Sequence, residues 1–262
     1  MTDRQAGAAH RWSAALASWD LPDTILAQAP ESPWAFPPRA FAERTLSALA
    51  GRLTPTHRRS AEVLEDGGVV LDVGAGTGAA SLPLCPPAGR VVAVDESPRL
   101  LEEMVRLAAD RVVVERVVGR WPDVAGQVAR ADVAVCANVV YNVPDLDAFV
   151  RALDQAARQR VVLELTAVHP QSSLSWLWQH FWGVERPIAP VATDALAVVT
   201  ETLGVEAANE TWWRPPPGPR DAESVAWTRR RLCLPASADA ELAELLAGPE
   251  EPVEMVTAWW TP

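Results

Sequence analysis

Five short apolar runs, mostly β-branched, punctuate the middle of the chain. They are Val69-Val70-Leu71-Asp72-Val73, Val91-Val92-Ala93-Val94, the valine-rich stretch from Arg111 to Val118, Val133-Ala134-Val135-Cys136-Ala137 and Val161-Val162-Leu163-Glu164-Leu165. Each is close to continuous rather than alternating, which suits strands buried on both faces of a parallel sheet. Between them the apolar period lengthens to that of helices. Ser97-Pro98 reads as the cap and first turn of a helix running to about Ala109. Asp145 stands at the cap of another, with Leu146, Phe149, Val150 and Leu153 along one side. Strand and helix in alternation predict a doubly wound α/β sheet.

The ends of the chain follow other rhythms. Within residues 1–66, Ala8, Trp12, Ala15 and Leu16 share one helical face, and Phe41, Leu46 and Leu49 share another. Between these lies Ala29-Pro30-Glu31-Ser32-Pro33-Trp34-Ala35-Phe36-Pro37-Pro38, where proline forbids a regular helix or central strand. This predicts a stiff loop carrying Trp34 and Phe36, either a lid or a connector. After residue 170 helices are expected over Ser173 to Trp182, Ala195 to Leu203, 222–233 and 238–247. Strands are expected over Val205 to Trp213 and Val253 to Trp260, with a rigid proline loop at 215–219.

Composition narrows the class. A chain of 262 residues that is 49% hydrophobic buries a substantial core. No window approaches the ~18 uninterrupted apolar residues of a membrane span, and the start Met1-Thr2-Asp3-Arg4-Gln5 lacks the layout of a signal peptide. A cytoplasmic protein without a membrane partner is expected. The net charge of -11 repels phosphate backbones, so nucleic acid is not an expected partner either. Arg229-Arg230-Arg231 reads as a solvated helix face, or else as a contact for an acidic substrate. Cys85, Cys136 and Cys233 are odd in number and widely spaced, so neither a metal site nor a disulfide framework follows. Twelve Trp against one Tyr and four Phe supply either core filling or the wall of a pocket for a flat substrate.

The segment with chemistry in it is Leu71-Asp72-Val73-Gly74-Ala75-Gly76-Thr77-Gly78. A strand runs into a glycine turn, and a helix whose free amides would donate to a ligand is expected to follow. Gly74, Gly76 and Ala79 also satisfy the loose dinucleotide fingerprint, and Asp95 stands where either kind of cofactor places a ribose-binding carboxylate.

Asp72-Val73-Gly74-Ala75-Gly76-Thr77-Gly78 nevertheless resembles the first motif of the class I S-adenosylmethionine-dependent methyltransferases: an acid, then x-G-x-G-x-G. Nicotinamide enzymes more often carry an apolar residue at the position of Asp72, since a carboxylate beside a pyrophosphate is unfavourable. The resemblance covers about 69–170 and implies S-adenosylmethionine as cofactor. It implies a Rossmann-like, doubly wound, seven-stranded sheet, mostly parallel with the last strand antiparallel beside strand five. Residues 1–66 would form a helical cap, and 67–262 the Rossmann-like domain with helical insertions after strands five and six.

Residue by residue, the resemblance has Asp72 ordering the turn and the cofactor's ammonium region. Gly74, Ala75, Gly76 and Gly78 form the bend, Asp95 holds the ribose, and Glu96 lies beside the adenine. Where many members carry a short acid for the adenine amino group, this chain has Arg120-Trp121, which points to backbone contacts or stacking on Trp121. In the loop after strand four, Asn138 and Asn142 replace the two histidines of the His-x-x-x-His-Val-Pro-Asp pattern of small-molecule methyltransferases. Asn138 is still expected at the cofactor. The loop is not the Asn-Pro-Pro-Tyr type used on exocyclic amines of bases.

Methyl transfer from a sulfonium needs alignment above all, and a base only for a poor nucleophile. His169 is the leading base candidate, or else a loop histidine with a structural hydrogen bond. Tyr141 is expected to orient the acceptor or to pack. His180 and Glu164 rank lower. Trp34, Phe36, Tyr141, Trp178, Phe181 and Trp182 are the expected acceptor pocket. The reading is a methyltransferase acting on a small molecule or peptide side chain. The alternatives are a cofactor-binding protein of the same fold with a non-methylating or regulatory role, and a nicotinamide-dependent reductase.

Overall fold

The strands form where the apolar runs predict them, and the sheet they build sets the position of everything else. In a computed structural model, which describes residues 6–33, 38–51, 53–216 and 221–262, the strands are β1 (Val69–Val73), β2 (Arg90–Asp95), β3 (Val113–Val118), β4 (Ala131–Ala137), β5 (Ala157–Thr166), β6 (Ala208–Arg214) and β7 (Val253–Trp260). Their order is β3-β2-β1-β4-β5-β7-β6. The first five run parallel, and β7 is antiparallel between β5 and β6. This is the seven-stranded, mostly parallel sheet expected from the sequence, with the final strand inserted beside the fifth.

Helices cover both faces. On one lie α1 (Ala8–Ala17), α6 (Leu146–Ala156) and α8 (Ala192–Leu203), packed on one another and on Leu71, Val73, Val92, Val94, Cys136 and Leu163. On the other lie α3 (Pro38–Ala50), α4 (Pro55–Ala61) and α5 (Pro98–Ala108), over Val70, Val91, Ala93, Val133 and Val162. A satellite core joins α2 (Asp23–Leu26), α7 (Ser175–Trp182), α9 (Ala222–Arg231) and α10 (Asp239–Leu245). Among the described residues, no helix is long and apolar enough to cross a membrane.

Local detail departs from the expectations in instructive places. Ser97 caps α5 as predicted, its Oγ accepting from the Leu100 amide at 3.3 Å. Asp145 occupies the cap of α6, but its side chain makes no capping bond. In α3 the buried position is Thr45, while Leu46 is 52% exposed. The larger correction concerns the crossover after β1. The sequence predicts a helix there, yet β1 and β2 are joined by turns and one 3₁₀ turn, Leu82–Leu84. Pro83, Pro86 and Pro87 carry no amide hydrogen and break the helical ladder. The face so exposed is covered by α3 and α4, both of which pack on Leu82–Leu84.

The link between β3 and β4 is equally short of helix, holding only the 3₁₀ turn Ala125–Gln127. Trp121, 5% exposed, fills the space, its indole N–H donating to the Phe149 carbonyl at 3.3 Å. Replacing Trp121 with Ala is expected to cost about 3–5 kcal/mol of stability by urea denaturation. Trp213, 62% exposed on β6, is the control, whose replacement with Ala is expected to stay within about 0.5 kcal/mol.

Candidate functional site

Strand β1 lies between β2 and β4, so the chain's winding reverses there and leaves a crevice at the carboxyl ends of the strands. The bend after β1 forms its floor. Gly74, Gly76 and Gly78 have φ of 71°, 53° and 91°, a region that side chains disfavour. A Cβ on Gly74 would stand 2.2 Å from Val139 Cγ2, so the loop after β4 closes directly on the bend. The bend is stitched to β2: the Gly74 and Ala75 amides donate to the Val94 carbonyl at 2.9 and 3.0 Å. The Gly76 amide donates to Asp95 Oδ2 at 2.8 Å. The expected helix start is therefore not formed, and the Gly74, Ala75 and Gly76 amides face the protein rather than the crevice.

Two carboxylates flank the bend in different states. Asp72 is 1% exposed and accepts from Ser81 Oγ, which ties the base of the bend to the turn that follows. Burial pushes its pKa up to about 7, against the Ser81 hydrogen bond and with help from the Asp95 charge. Asp95 is half-buried at the end of β2. Its Oδ1 accepts from the Ser97 amide and its Oδ2 from the Gly76 amide, both at 2.8 Å. Each oxygen keeps a further lone pair for a ligand. Glu96 and Arg120 are exposed and pair at 3.8 Å, making a rim. Trp121 is not with them but in the core described above, so its ring offers the crevice no open face for stacking.

Helices α3 and α4 reach the site from above, through side chains that no motif in the sequence marked. A Cβ on Gly76 would lie 3.1 Å from Phe41 Cδ1, and Thr45 and Thr77 share a hydroxyl–hydroxyl hydrogen bond of 2.7 Å. On α4, Thr56 donates to Glu164 Oε2 at 2.6 Å and bonds Thr257 at 2.9 Å. The other oxygen, Glu164 Oε1, accepts from Asn138 Nδ2 at 3.0 Å, while the Asn138 amide donates to the Glu164 carbonyl at 2.7 Å. Asn138 sits at φ 61°, so Glu164 holds both its backbone and its side chain. A single acid within the apolar run of β5 was the one signal in the sequence for this hub. Phe41, Thr45, Thr77 and Ser81 gave none.

The residues expected to serve the acceptor are mostly packed. Tyr141 is 6% exposed and donates to the Thr166 carbonyl at 2.8 Å, and burial raises its pKa. His169 is 5% exposed and stacks on Trp19 with ring centroids 3.8 Å apart, with Tyr141 edge-on at 5.2 Å. Burial, then the Arg186 charge, lowers the His169 pKa to about 4. Trp178 is fully buried in the satellite core, half-buried Phe181 packs there too, and half-buried Trp182 donates to the Leu232 carbonyl at 2.7 Å. His180 is exposed and pairs with Glu241 at 2.9 Å. Trp34 and Phe36 lie outside the described residues. The structure thus brings Asp72, Gly74, Ala75, Gly76, Gly78, Asp95 and Asn138 together, and sets Trp178, Phe181 and Trp182 in a separate core.

Residues 70–160, which hold the bend, Asp95 and Asn138, match the model of a methyltransferase domain. No curated protein matches the chain in sequence. A putative methyltransferase from Bacillus halodurans C-125 shares its fold at a TM-score of 0.53 and 16% identity, over 82% of this chain and 98% of that one. The YcgJ protein of Bacillus subtilis does so at a TM-score of 0.50 and 14% identity, over 79% and 97%. The domain match and the sheet order agree with the class I methyltransferase resemblance read from the motif, on a Rossmann-like methyltransferase fold.

The buried Asp72 has a measurable signature. Folded, it keeps its proton up to a pKa of about 7; unfolded, it loses it near ~3.9. Between those values the native state binds the extra proton, so this group makes stability fall as pH rises through the window and then level off. Asp72→Asn is expected to remove that slope in urea midpoints measured across the range; identical slopes in both proteins would contradict the assignment.

Proposed function

We propose that the chain, carrying a methyltransferase domain over residues 70–160, is an S-adenosylmethionine-dependent methyltransferase that acts on a small molecule or a peptide side chain by in-line transfer. The observation that carries this reading is the bend itself. A dinucleotide site needs outward amides and a helix start for its pyrophosphate. Here the Gly74, Ala75 and Gly76 amides point into β2, no helix follows, and a buried carboxylate lies beneath. That arrangement denies a pyrophosphate these three amides and suits a cationic sulfonium nucleoside, whose charge favours ionised Asp72 and Asp95.

S-adenosylmethionine supplies a methyl group on a positively charged sulfur: the S–CH₃ bond breaks as the acceptor's lone pair forms the new bond, and sulfur leaves as a neutral thioether. The chain's part is alignment. The remaining lone pairs of Asp95 accept the two ribose hydroxyls, while its bonds from Gly76 and Ser97 keep the carboxylate fixed. Glu96 and Arg120 border the adenine, and Asp72 lies beneath the amino-acid end, where the ligand's positive charge favours its ionised form. Asn138, clamped by Glu164, presents its remaining amide oxygen to that end. Of residues 1–66, helix α3 acts as the cap, since it lies on the bend through Phe41 and Thr45.

His169 does not serve as the base in this scheme. An imidazole with a pKa of about 4, stacked on Trp19, is a poor proton acceptor at neutral pH. The scheme thus assigns no base to His169 and suits an acceptor whose nucleophilic lone pair is already free.

Calorimetry is expected to show binding of S-adenosylhomocysteine and none of NAD; the opposite pattern would end the proposal. Asp95→Asn is expected to weaken S-adenosylhomocysteine binding about tenfold or more, through loss of charge-assisted bonds. His169→Gln is expected to lower the melting temperature while leaving the pH profile of kcat/KM unmoved. A lost inflection near neutrality would instead make His169 a base.

A further inference from the structure

Arg44 and Arg214 converge on the same side of the sheet as Glu164. Trp212 donates to Thr257 Oγ1 at 3.0 Å, and Thr257 bonds Thr56 of α4. Alternate residues of a strand share a face, so Arg214, two positions past Trp212 at the carboxyl end of β6, projects to the face that α3 and α4 cover. Arg44 stands on α3 beside Thr45, which is bonded to the glycine bend. The two guanidinium groups and Glu164 lie within electrostatic range of one another.

The cluster is out of balance. Among the described residues neither Arg44 nor Arg214 has a hydrogen-bond or ion-pair partner. Glu164, already holding Thr56 and Asn138 through one bond to each oxygen, brings a single negative charge to the two guanidinium groups. Arg44 keeps exposed surface, yet desolvation lowers its pKa. Half-buried Arg214 is lowered by desolvation and then by the Arg44 charge. Two cations stand here against one carboxylate, an excess of positive charge that favours an anionic ligand. A planar fork of donors matches a carboxylate bidentately.

We propose that Arg44 and Arg214 bind the anionic head, a carboxylate, of the methyl acceptor, which makes this an enzyme for small organic acids. Held there, between α3 and the ends of β5 and β6, the acceptor presents its reacting atom toward the bend. The inference rests on the methyltransferase reading above and adds the substrate class. The cofactor's own amino-acid carboxylate has the same chemistry, and the test separates the two.

The full chain, saturated with S-adenosylhomocysteine, is titrated calorimetrically with acetate, benzoate and indole-3-acetate, each against its primary amide. At least one acid is expected to bind about tenfold or more tightly than its amide. Arg44→Gln and Arg214→Gln are each expected to erase that preference while S-adenosylhomocysteine affinity stays within about twofold. Should a Gln variant fail to fold, the Lys variant at that position is expected to weaken the preference without abolishing it. Equal binding of acids and amides, no binding of any acid, or a preference that survives both substitutions overturns the proposal and leaves the methyltransferase reading standing. If the Gln variants lose S-adenosylhomocysteine but keep 5′-methylthioadenosine, which has no carboxylate, the arginines serve the cofactor and the acceptor proposal is overturned. Failure of the unaltered chain to bind S-adenosylhomocysteine brings down the underlying reading first.

Discussion

The attachment of the glycine bend to the end of β2 is the constraint on which the rest of the site depends. Three consecutive amides, those of Gly74, Ala75 and Gly76, turn inward onto the Val94 carbonyl and the Asp95 carboxylate. Only a backbone free to adopt positive φ at Gly74, Gly76 and Gly78 can make that turn without strain. Once made, it removes donors from the upper face of the bend and brings Val139 against it. It also leaves Asp72 sealed beneath, with Ser81 as its hydrogen-bond partner. One local geometry thereby sets both carboxylates, Asp72 and Asp95, against the floor of the crevice.

The amino-terminal helices belong to this site as much as to a cap. The crossover from β1 to β2 is too proline-rich for a helix of its own, and α3 and α4 cover the vacated face. Their contacts reach both halves of the crevice: α3 through Phe41 and Thr45 to the bend, α4 through Thr56 to Glu164 and Thr257. Because Glu164 also holds Asn138, the cap, the loop after β4 and the antiparallel strand β7 share one polar hub. Removing any one partner leaves a half-buried carboxylate short of a donor, which is why such hubs act as units.

Tryptophan here mostly fills and fastens. Trp12, Trp19, Trp121 and Trp182 each bury an indole and donate their N–H to a carbonyl of another segment: Val143, Ala189, Phe149 and Leu232. Trp212 and Trp260 donate to Thr257 and Asp154 side chains. An indole supplies large apolar area and one directional bond, so it can replace a missing helix, as Trp121 does between β3 and β4. In these six tryptophans the indole serves packing and bonds between segments, Trp121 doing so over a short crossover.

The strands, their order of appearance, the Ser97 cap and the bend with Asp72 and Asp95 were legible in the chain alone. Each depends on residues adjacent in sequence or on a period that local sterics impose. The crossover without a helix was legible in principle, since Pro83, Pro86 and Pro87 stand in plain view, but the glycine motif outweighed them. What no local pattern could carry was the meeting of distant segments: Phe41 and Thr45 on the bend, Thr56 on Glu164, Trp19 on His169, Arg44 near Arg214. Sequence alone determined which elements form and where the backbone must turn, because those follow from sterics over a few residues. Tertiary structure decided which polar and aromatic groups face the crevice and which are spent on packing, because burial and partner charge exist only once remote elements are in contact.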